Sequence, residues 1–574
     1  MDINNKKIKI TIFDHILKKD CNPYPNYYEF FKFKDTQKDY TFFVDFSIFD
    51  KEEYNNYKVK FITKFTNKDF NKLEKICIGS IVGMAIGDAI GARVEFLPLS
   101  YTFDKVKDMG NYPGGSFKLK PGQWTDDTSM GLCIADSLIE KKGLFHPRDI
   151  MMRFILWWFY GYNNAFRFDK ERPKKHSVGL GGNIKGSICQ YIKERGQNYY
   201  TKYGNRDTSG NGSIMRNAPI PICFFRDQKL ALKIAKYQSL ITHQGDEAAG
   251  CCQLLTFIII KIINLKIETN LANIKDETKT TLSDTIKNKK NYTLKDILND
   301  LTEFKCDCES VNCLANSKQE NNDINRNWDW KNDNFRYSEK RAKSNPRYIG
   351  SYCMDGLAMA LHVLYTTDTF EKAILKAVNL CGDADSVGSV VGQIAGAFYE
   401  LDSIPKDWIK AINVWDKSEI ALRGYILCHL YEKKEKKESK ESKESKESKE
   451  KIITNNNDVI NINGNKIKNI NINEDENIEE IIKKTKNIKS DIIKINGKEI
   501  KNININDDEN IEEINEVNNT IQNINNNIDK DIKEQSNYDI SAQEIKNSYI
   551  HKKKKKRCCT CNIFLKIFYY DEIR

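Results

Sequence analysis

The spacing of apolar residues between Asn71 and Tyr431 constrains this chain more than any other feature. Ser129–Lys141, Arg148–Tyr160, Gln228–Leu240, Asp246–Ile263, Asp355–Leu364 and Phe370–Leu380 repeat apolar residues at intervals of three and four. That is the period of a helix with one buried face. Leu73–Ala92 and Ser386–Tyr399 carry Gly and Ala at helix-compatible positions, so two helices could approach closely there. No strand pattern alternates with these segments. The expectation is an all-α bundle without a parallel sheet.

Composition sets the limits of that bundle. Residues 432–551 are built almost wholly from Lys, Glu, Asn, Ile, Asp and Ser, with few aromatics. Such a stretch cannot bury enough apolar surface to offset its ordering entropy, so a disordered tail over 432–574 is expected, with nascent helix at most. A 33-residue repeat, with copies beginning near Ile462 and Ile495, falls short of the three copies a stacked solenoid needs. Residues 1–70 are aromatic-rich. Tyr40–Phe49 and Lys58–Phe65 alternate in part and read as short strands of an accessory extension. Residues 264–326 are polar and read as an insertion into the domain at 71–431. Within it, Cys306, Cys308 and Cys313 lack a fourth ligand at zinc-site spacing and read as a solvated loop. No run resembles a membrane span, and the first residues do not resemble a secretory signal. The expected setting is therefore cytoplasmic, with reduced thiols.

Lys and Arg number 91 against 80 Asp and Glu, a net charge of +11. Residues 431–574 hold 29 basic and 28 acidic residues, so almost all of the excess lies in the first 430. Spread that thinly, and without an arginine-rich stripe, it points away from nucleic acid. At the far end, His551–Arg557 is polybasic and is followed by Cys558 and Cys559. Together these resemble a weak membrane-tethering signal that would give a membrane-associated fraction.

Four patches concentrate polar residues inside otherwise apolar helices: Gly87–Phe96, Gly122–Met130, Ser209–Pro219 and Gly382–Gly388. Thr125-Asp126-Asp127-Thr128 and Asp383-Ala384-Asp385-Ser386 each stand just before a helix. Either alone would pass for an ordinary N-cap. Converging, they would put four carboxylates in one space, where like charges repel unless cations lie between them. Hard oxygen donors of this kind suit Mg²⁺ or Mn²⁺. The Gly-Asn-Gly turn at 210–212 could nest phosphate oxygens. A metal-dependent phosphohydrolase would explain the aspartates, but neither that turn nor T-H-Q-G-D-E at 242–247.

Seven motifs occur in order across the domain: G-D-A-I-G-A-R-V-E-F, G-Q-W-T-D-D-T, S-V-G-L-G-G-N, S-G-N-G-S-I-M-R-N-A-P, T-H-Q-G-D-E-A, Y-I-G-S-Y-C-M-D and G-D-A-D-S-V-G. In this set the chain resembles the ADP-ribosylglycohydrolases, which include the dinitrogenase-reductase-activating glycohydrolase and the ADP-ribosyl-arginine and ADP-ribosyl-serine hydrolases. The resemblance implies an orthogonal all-α bundle with two Mg²⁺ or Mn²⁺ ions at the base of an ADP-ribose cleft. Thr125, Asp126, Asp127, Asp383, Asp385 and Ser386 would hold the metals. Glu95, Asp126, Asp127 and Asp383 would serve catalysis. Ser209, Gly210, Asn211, Gly212, Ser213, His243, Tyr352 and Asp355 would bind substrate. The implied substrates are ADP-ribosylated proteins or small ADP-ribose conjugates, and a monomer is expected. The main alternative is a catalytically silent ADP-ribose-binding or structural protein on the same scaffold.

Overall fold

A computed structural model describes residues 48–430, apart from 111–113, 174, 195, 203–208, 273–291, 323 and 343–348, together with short strands at 33–34 and 41–42 and between 460 and 501. The chain divides into two units, Met1–Glu441 and Ser442–Arg574.

The first unit is a helical bundle, as the periodicity predicts. Gln228–Leu240 is helical over the predicted range, and the other predicted helices start or end within a few residues of theirs. At its centre the helix Lys72–Gly91 runs antiparallel to Ala384–Tyr399. The first is started by a capping box, in which the Asn71 side chain accepts from the Glu74 amide and Glu74 accepts from the Asn71 amide. Gly79, Gly83, Gly87 and Gly91 face Gly396, Gly392, Gly388 and Ala384. A Cβ added at any of the first four would lie 2.0–2.3 Å from the opposing carbonyl oxygen. The absence of side chains along this seam lets two backbones touch. It also fixes how closely Asp88, at the end of one helix, approaches Asp383 and Asp385, at the start of the other.

The helix Asp246–Ala272 lies beside this pair. Its stretch Asp246–Thr269 is long and apolar enough to cross a membrane by length and composition alone, contrary to the expectation that no run resembles a span. It is a core helix, mostly buried within the bundle.

Lys58–Phe65 is not a strand but part of the helix Asn55–Asn67. Its aromatics satisfy both periods, and tertiary contact decides. Tyr54, Tyr57, Phe61 and Phe65 share a helical face, and Phe61 packs on Phe70 and Tyr425 at ring distances of 5.6 and 5.9 Å. In the other predicted strand, Thr41–Phe42 does pair, antiparallel with Phe33–Lys34, while Ile48–Asp50 is a short 3-10 turn.

The described part of the polar stretch 264–326 packs into the body of the bundle. Leu294, Ile297, Leu298, Leu301, Phe304, Val311 and Leu314 are buried in the common core. Arg326 is buried with Glu247 and Glu320, which explains how so polar a sequence packs: its charges are paired internally. Cys306, Cys308 and Cys313 are partly buried and packed against the core rather than held in a solvated loop.

In the second unit, Ile460–Ile462 pairs antiparallel with Asn465–Ile470, and Ile492–Ile495 with Lys498–Lys501. The two pairs join in parallel through Asn465–Ile470 and Ile492–Ile495. Only Asn-Gly separates the partners in each copy of the repeat, and that dipeptide is a strong hairpin signal. The rest of the tail, including the polybasic end and its cysteines, lies outside the described residues.

Candidate active site

The centre of the site is the start of the helix Asp126–Glu140. Thr125 occupies the N-cap position, yet its side chain makes no capping bond. The cap comes from Asp88, across the seam. One Asp88 oxygen accepts from the Thr125 amide at 3.0 Å and its hydroxyl at 2.8 Å; the other accepts from the Thr128 amide at 2.9 Å and its hydroxyl at 2.6 Å. A borrowed cap frees Asp126 and Asp127 from the ordinary capping role and leaves them facing the cleft. Asp88 is fully buried, and burial raises its pKa while these hydrogen bonds pull it down.

The second acidic segment arrives through Gly350 and Gly382, both in the left-handed region at φ 93° and 62°. The Asp383 amide donates to the Ile349 carbonyl at 2.7 Å, and the Asp383 carboxylate accepts from the Asn211 side chain at 2.9 Å. Asp385 accepts from the Ser386 amide at 2.9 Å. Gly179, at φ 87°, passes directly over Asp126; a Cβ there would lie 2.0 Å from the Asp126 Oδ1.

The two predicted acidic segments do converge. Asp88, Asp127 and Asp385 form one group whose ligand atoms lie within 4.8 Å of one another, and Glu95, Asp383 and Asp385 form another. Asp385 belongs to both. Asp127 Oδ1 and Glu95 Oε2 are buried without a hydrogen-bond partner. Burial, followed by mutual repulsion, pushes the Asp126, Asp127, Asp385 and Glu95 carboxyls far above their usual range. No Lys or Arg lines the cleft among the described residues. Hard oxygens, orphaned acceptors and uncompensated negative charge together fit divalent cations. Thr125 lies one layer down. Its hydroxyl donates most closely to Asp88, at 2.8 Å, and lies 3.4 and 3.3 Å from the Asp127 and Asp385 oxygens.

Above the acids opens a cleft of about 640 Å³. Ser209, Gly210, Asn211 and Gly212 line one wall, joined to the neighbouring segment by the Gly210–Tyr352 bridge and by the Asn211 amide donating to the Ser351 carbonyl. The N-terminus of the helix Gly182–Lys193 lines it too. Phe96 and Phe117 line the cleft beside Glu95, with ring centroids 6.0 Å apart. His243 is buried, with Nδ1 2.8 Å from the Thr242 hydroxyl, which in turn accepts from Arg216. Burial and the Arg216 charge lower the His243 pKa to about 3, so the ring is neutral at ordinary pH. Tyr352 is positioned by Arg326 and donates to Glu247.

Two predicted substrate residues are placed elsewhere. Ser213 does not line the cleft; it bonds Ser239 at 2.9 Å within the core. Asp355 does not line it either; its carboxylate is taken by Arg341 at 2.6–2.7 Å and by the Ser338 amide. Ser386 does line the cleft. Sequence reasoning missed Asp88 as part of the acidic constellation. The available signal was an aspartate inside an otherwise apolar, glycine-striped helix.

A family model described as ADP-ribosylglycohydrolase matches residues 71–439. The chain is similar to an ADP-ribosylarginine hydrolase Tri1 of Serratia proteamaculans, 33% identical over 58% of this chain and 73% of that protein. It is 26% identical to an ADP-ribosyl-[dinitrogen reductase] glycohydrolase of Rhodospirillum rubrum, over 60% and 92% of the two chains. It is 25% identical to an ADP-ribosylhydrolase ARH3 of Danio rerio, over 61% and 90%.

Proposed function

Because the chain belongs to the ADP-ribosylglycohydrolase family, we propose that it is a metal-dependent hydrolase. It cleaves the N- or O-glycosidic bond joining ADP-ribose to a protein side chain or a small conjugate, and releases ADP-ribose. The observation that carries this reading is the pair of buried carboxylate groups sharing Asp385 at the floor of the cleft. The orphaned oxygens of Asp127 and Glu95 favour a working centre over a silent homologue, since a merely structural scaffold gains nothing from them.

Asp126, Asp127, Asp383, Asp385, Thr125 and Ser386 would hold two divalent cations, Mg²⁺ or Mn²⁺. When bound, these supply Lewis acidity and a water of lowered pKa. The remaining work falls to the chain. With no Lys or Arg lining the cleft among the described residues, the pyrophosphate would be met by backbone N–H groups of Ser209–Gly212 and by the N-terminus of Gly182–Lys193. Neutral His243 serves as a hydrogen-bonding wall rather than an acid. The same carboxylates stabilise the positive charge that develops on the ribose as the bond breaks. Glu95, which lines the cleft beside these carboxylates, would hand a proton to the departing group.

The test uses the purified full chain and follows ADP-ribose release from Arg-linked and Ser-linked ADP-ribosylated peptides with Mg²⁺, with Mn²⁺ and with EDTA. Metal-dependent release is expected from at least one peptide, and Asp126→Asn should abolish it while leaving the circular-dichroism spectrum unchanged. Full activity in Asp126→Asn with metal stripped would defeat the assignment. ADP-ribose binding without release would support the silent reading.

A further inference from the structure

A second cavity, of about 250 Å³, lies apart from the catalytic cleft and shares no lining residue with it. Its walls include Tyr101, Phe103, Phe335, Arg336, His362 and Lys376. Four segments meet there: the connection after Glu95, the stretch after Trp330, the helix Cys353–Tyr365 and the helix Phe370–Val378.

The aromatic rings form a partial box. Tyr101 and Phe103 stand edge to face at 6.4 Å, and Phe335 lies 5.9 Å from the His362 ring. Each cation sits against one ring. The Arg336 guanidinium is 4.9 Å from the Tyr101 centroid, and the Lys376 ammonium is 5.8 Å from that of Phe103. Their polar partners are neutral: Arg336 donates to the Asp333 and Phe335 carbonyls, and Lys376 to the Thr366 hydroxyl at 2.7 Å. No ion pair joins either cation to a carboxylate among the described residues, and Asp333 is the one acid on the lining. Burial, and then the Arg336 charge, hold the Lys376 ammonium below its usual range, and the opposing charge of Asp333 offsets this only in part. His362 is buried with Nδ1 against the Trp330 carbonyl at 2.9 Å, so Nε2 is the ring atom left for a ligand.

Two cations brought together in a half-dry pocket repel unless an anion lies between them. Aromatic walls add a preference for an anion carried on a flat group. We propose that this pocket is a binding site for an aromatic anion of the nucleoside-monophosphate class. Its phosphate sits between Arg336 and Lys376, and its ring sits against Tyr101 and Phe103. The site is separate from the glycosidic chemistry and does not depend on it.

The experiment is calorimetric titration of AMP into the full chain, with inorganic phosphate and adenosine as the two half-ligands, repeated in saturating ADP-ribose. AMP should bind more tightly than either half, should still bind with ADP-ribose present, and should weaken as salt rises. Arg336→Ala combined with Lys376→Met should weaken AMP by at least about ten-fold. Lys376→Gln, which keeps a polar group beside Thr366, should weaken it by about three-fold and guards against misfolding of the double variant. AMP binding that ADP-ribose displaces and the variants do not alter belongs to the catalytic cleft and overturns the proposal. So does the absence of any AMP binding.

Discussion

Replacing Gly87 with alanine puts the central seam to a test in which two effects have opposite sign. Alanine is the better helix former, so in an open helix interior the change would stabilise by about 1 kcal/mol. Gly182, the first residue of its helix, is the unobstructed contrast: nothing lies within 4 Å of a Cβ built there, and so near a helix end the propensity gain is small. At Gly87 the added Cβ would lie 2.0 Å from the Gly388 oxygen, 2.2 Å from its carbonyl carbon and 2.7 Å from the Ser389 nitrogen. Ordinary contact begins at 3.4 Å, so the shortfall is 3.4 − 2.0 = 1.4 Å. The obstructing atoms are backbone and cannot rotate away, so the helices must separate. Overpacking costs typically about 1–3 kcal/mol, and a backbone overlap of this size belongs at the top of that range. After the propensity gain, Gly87→Ala should be destabilised by about 2 kcal/mol, while Gly182→Ala stays within about 0.5 kcal/mol of the parent. Urea denaturation followed by circular dichroism measures both. Separation would also draw Asp88 away from Asp385, so Mn²⁺ affinity by calorimetry should fall in Gly87→Ala beyond any loss in Gly79→Ala, at the far end of the seam. A Gly87→Ala protein as stable as the parent, or more so, refutes the close approach.

Three further outcomes follow from the same geometry. Asp88→Asn places an amide against the Thr128 N–H and orphans a helix-start donor, at a cost of about 1–3 kcal/mol; turnover of an ADP-ribosylated peptide should collapse although Asp88 does not line the cleft, and unaltered turnover would refute the borrowed cap. His243 has a folded pKa lowered to about 3 from 6.5, so the stability it contributes is complete above about pH 6.5 and is lost as pH falls towards 3. That loss should reach about 2 kcal/mol by pH 5 and be absent in His243→Asn, as read from paired melts at pH 7 and pH 5; identical pH profiles would show that the ring is not buried and neutral. Arg326→Leu would strand buried Glu247 and Glu320 and should cost about 3–5 kcal/mol in urea melts, whereas a cost below about 0.5 kcal/mol would refute the buried pairing.

The helices were legible because each buries a stripe, and a stripe is written locally, every three or four residues. The seam was legible too, since Gly and Ala at helical spacing have few other uses along a buried face. Lys58–Phe65 was not legible. Its aromatics satisfy two periods at once, and only Phe70 and Tyr425, far apart in sequence, choose between them. The packing of the described part of 264–326 is hidden for a related reason. A polar composition normally means solvent, but Arg326 is paired with Glu320 and with Glu247 inside the core, and the second pairing, across 79 residues, leaves no local trace.

The site divides in the same way. The sequence alone determined which residue types could do the chemistry. Asp126, Asp127, Asp383 and Asp385 stand in short arcs before helices, and Gly210–Gly212 is a turn whose backbone can face a ligand. The tertiary structure alone decided which of them share a space. It brought the two acidic arcs together over one cleft, sent Asp355 to Arg341 and Ser213 into the core, and drew in Asp88, whose partners lie 37 and 40 residues away. The physical reason is range. Helix periodicity and turn chemistry act within a few residues, so a sequence carries them openly. Desolvation, charge repulsion and the capping of one helix by another depend on distances that exist only once two backbones have met along a seam of glycines.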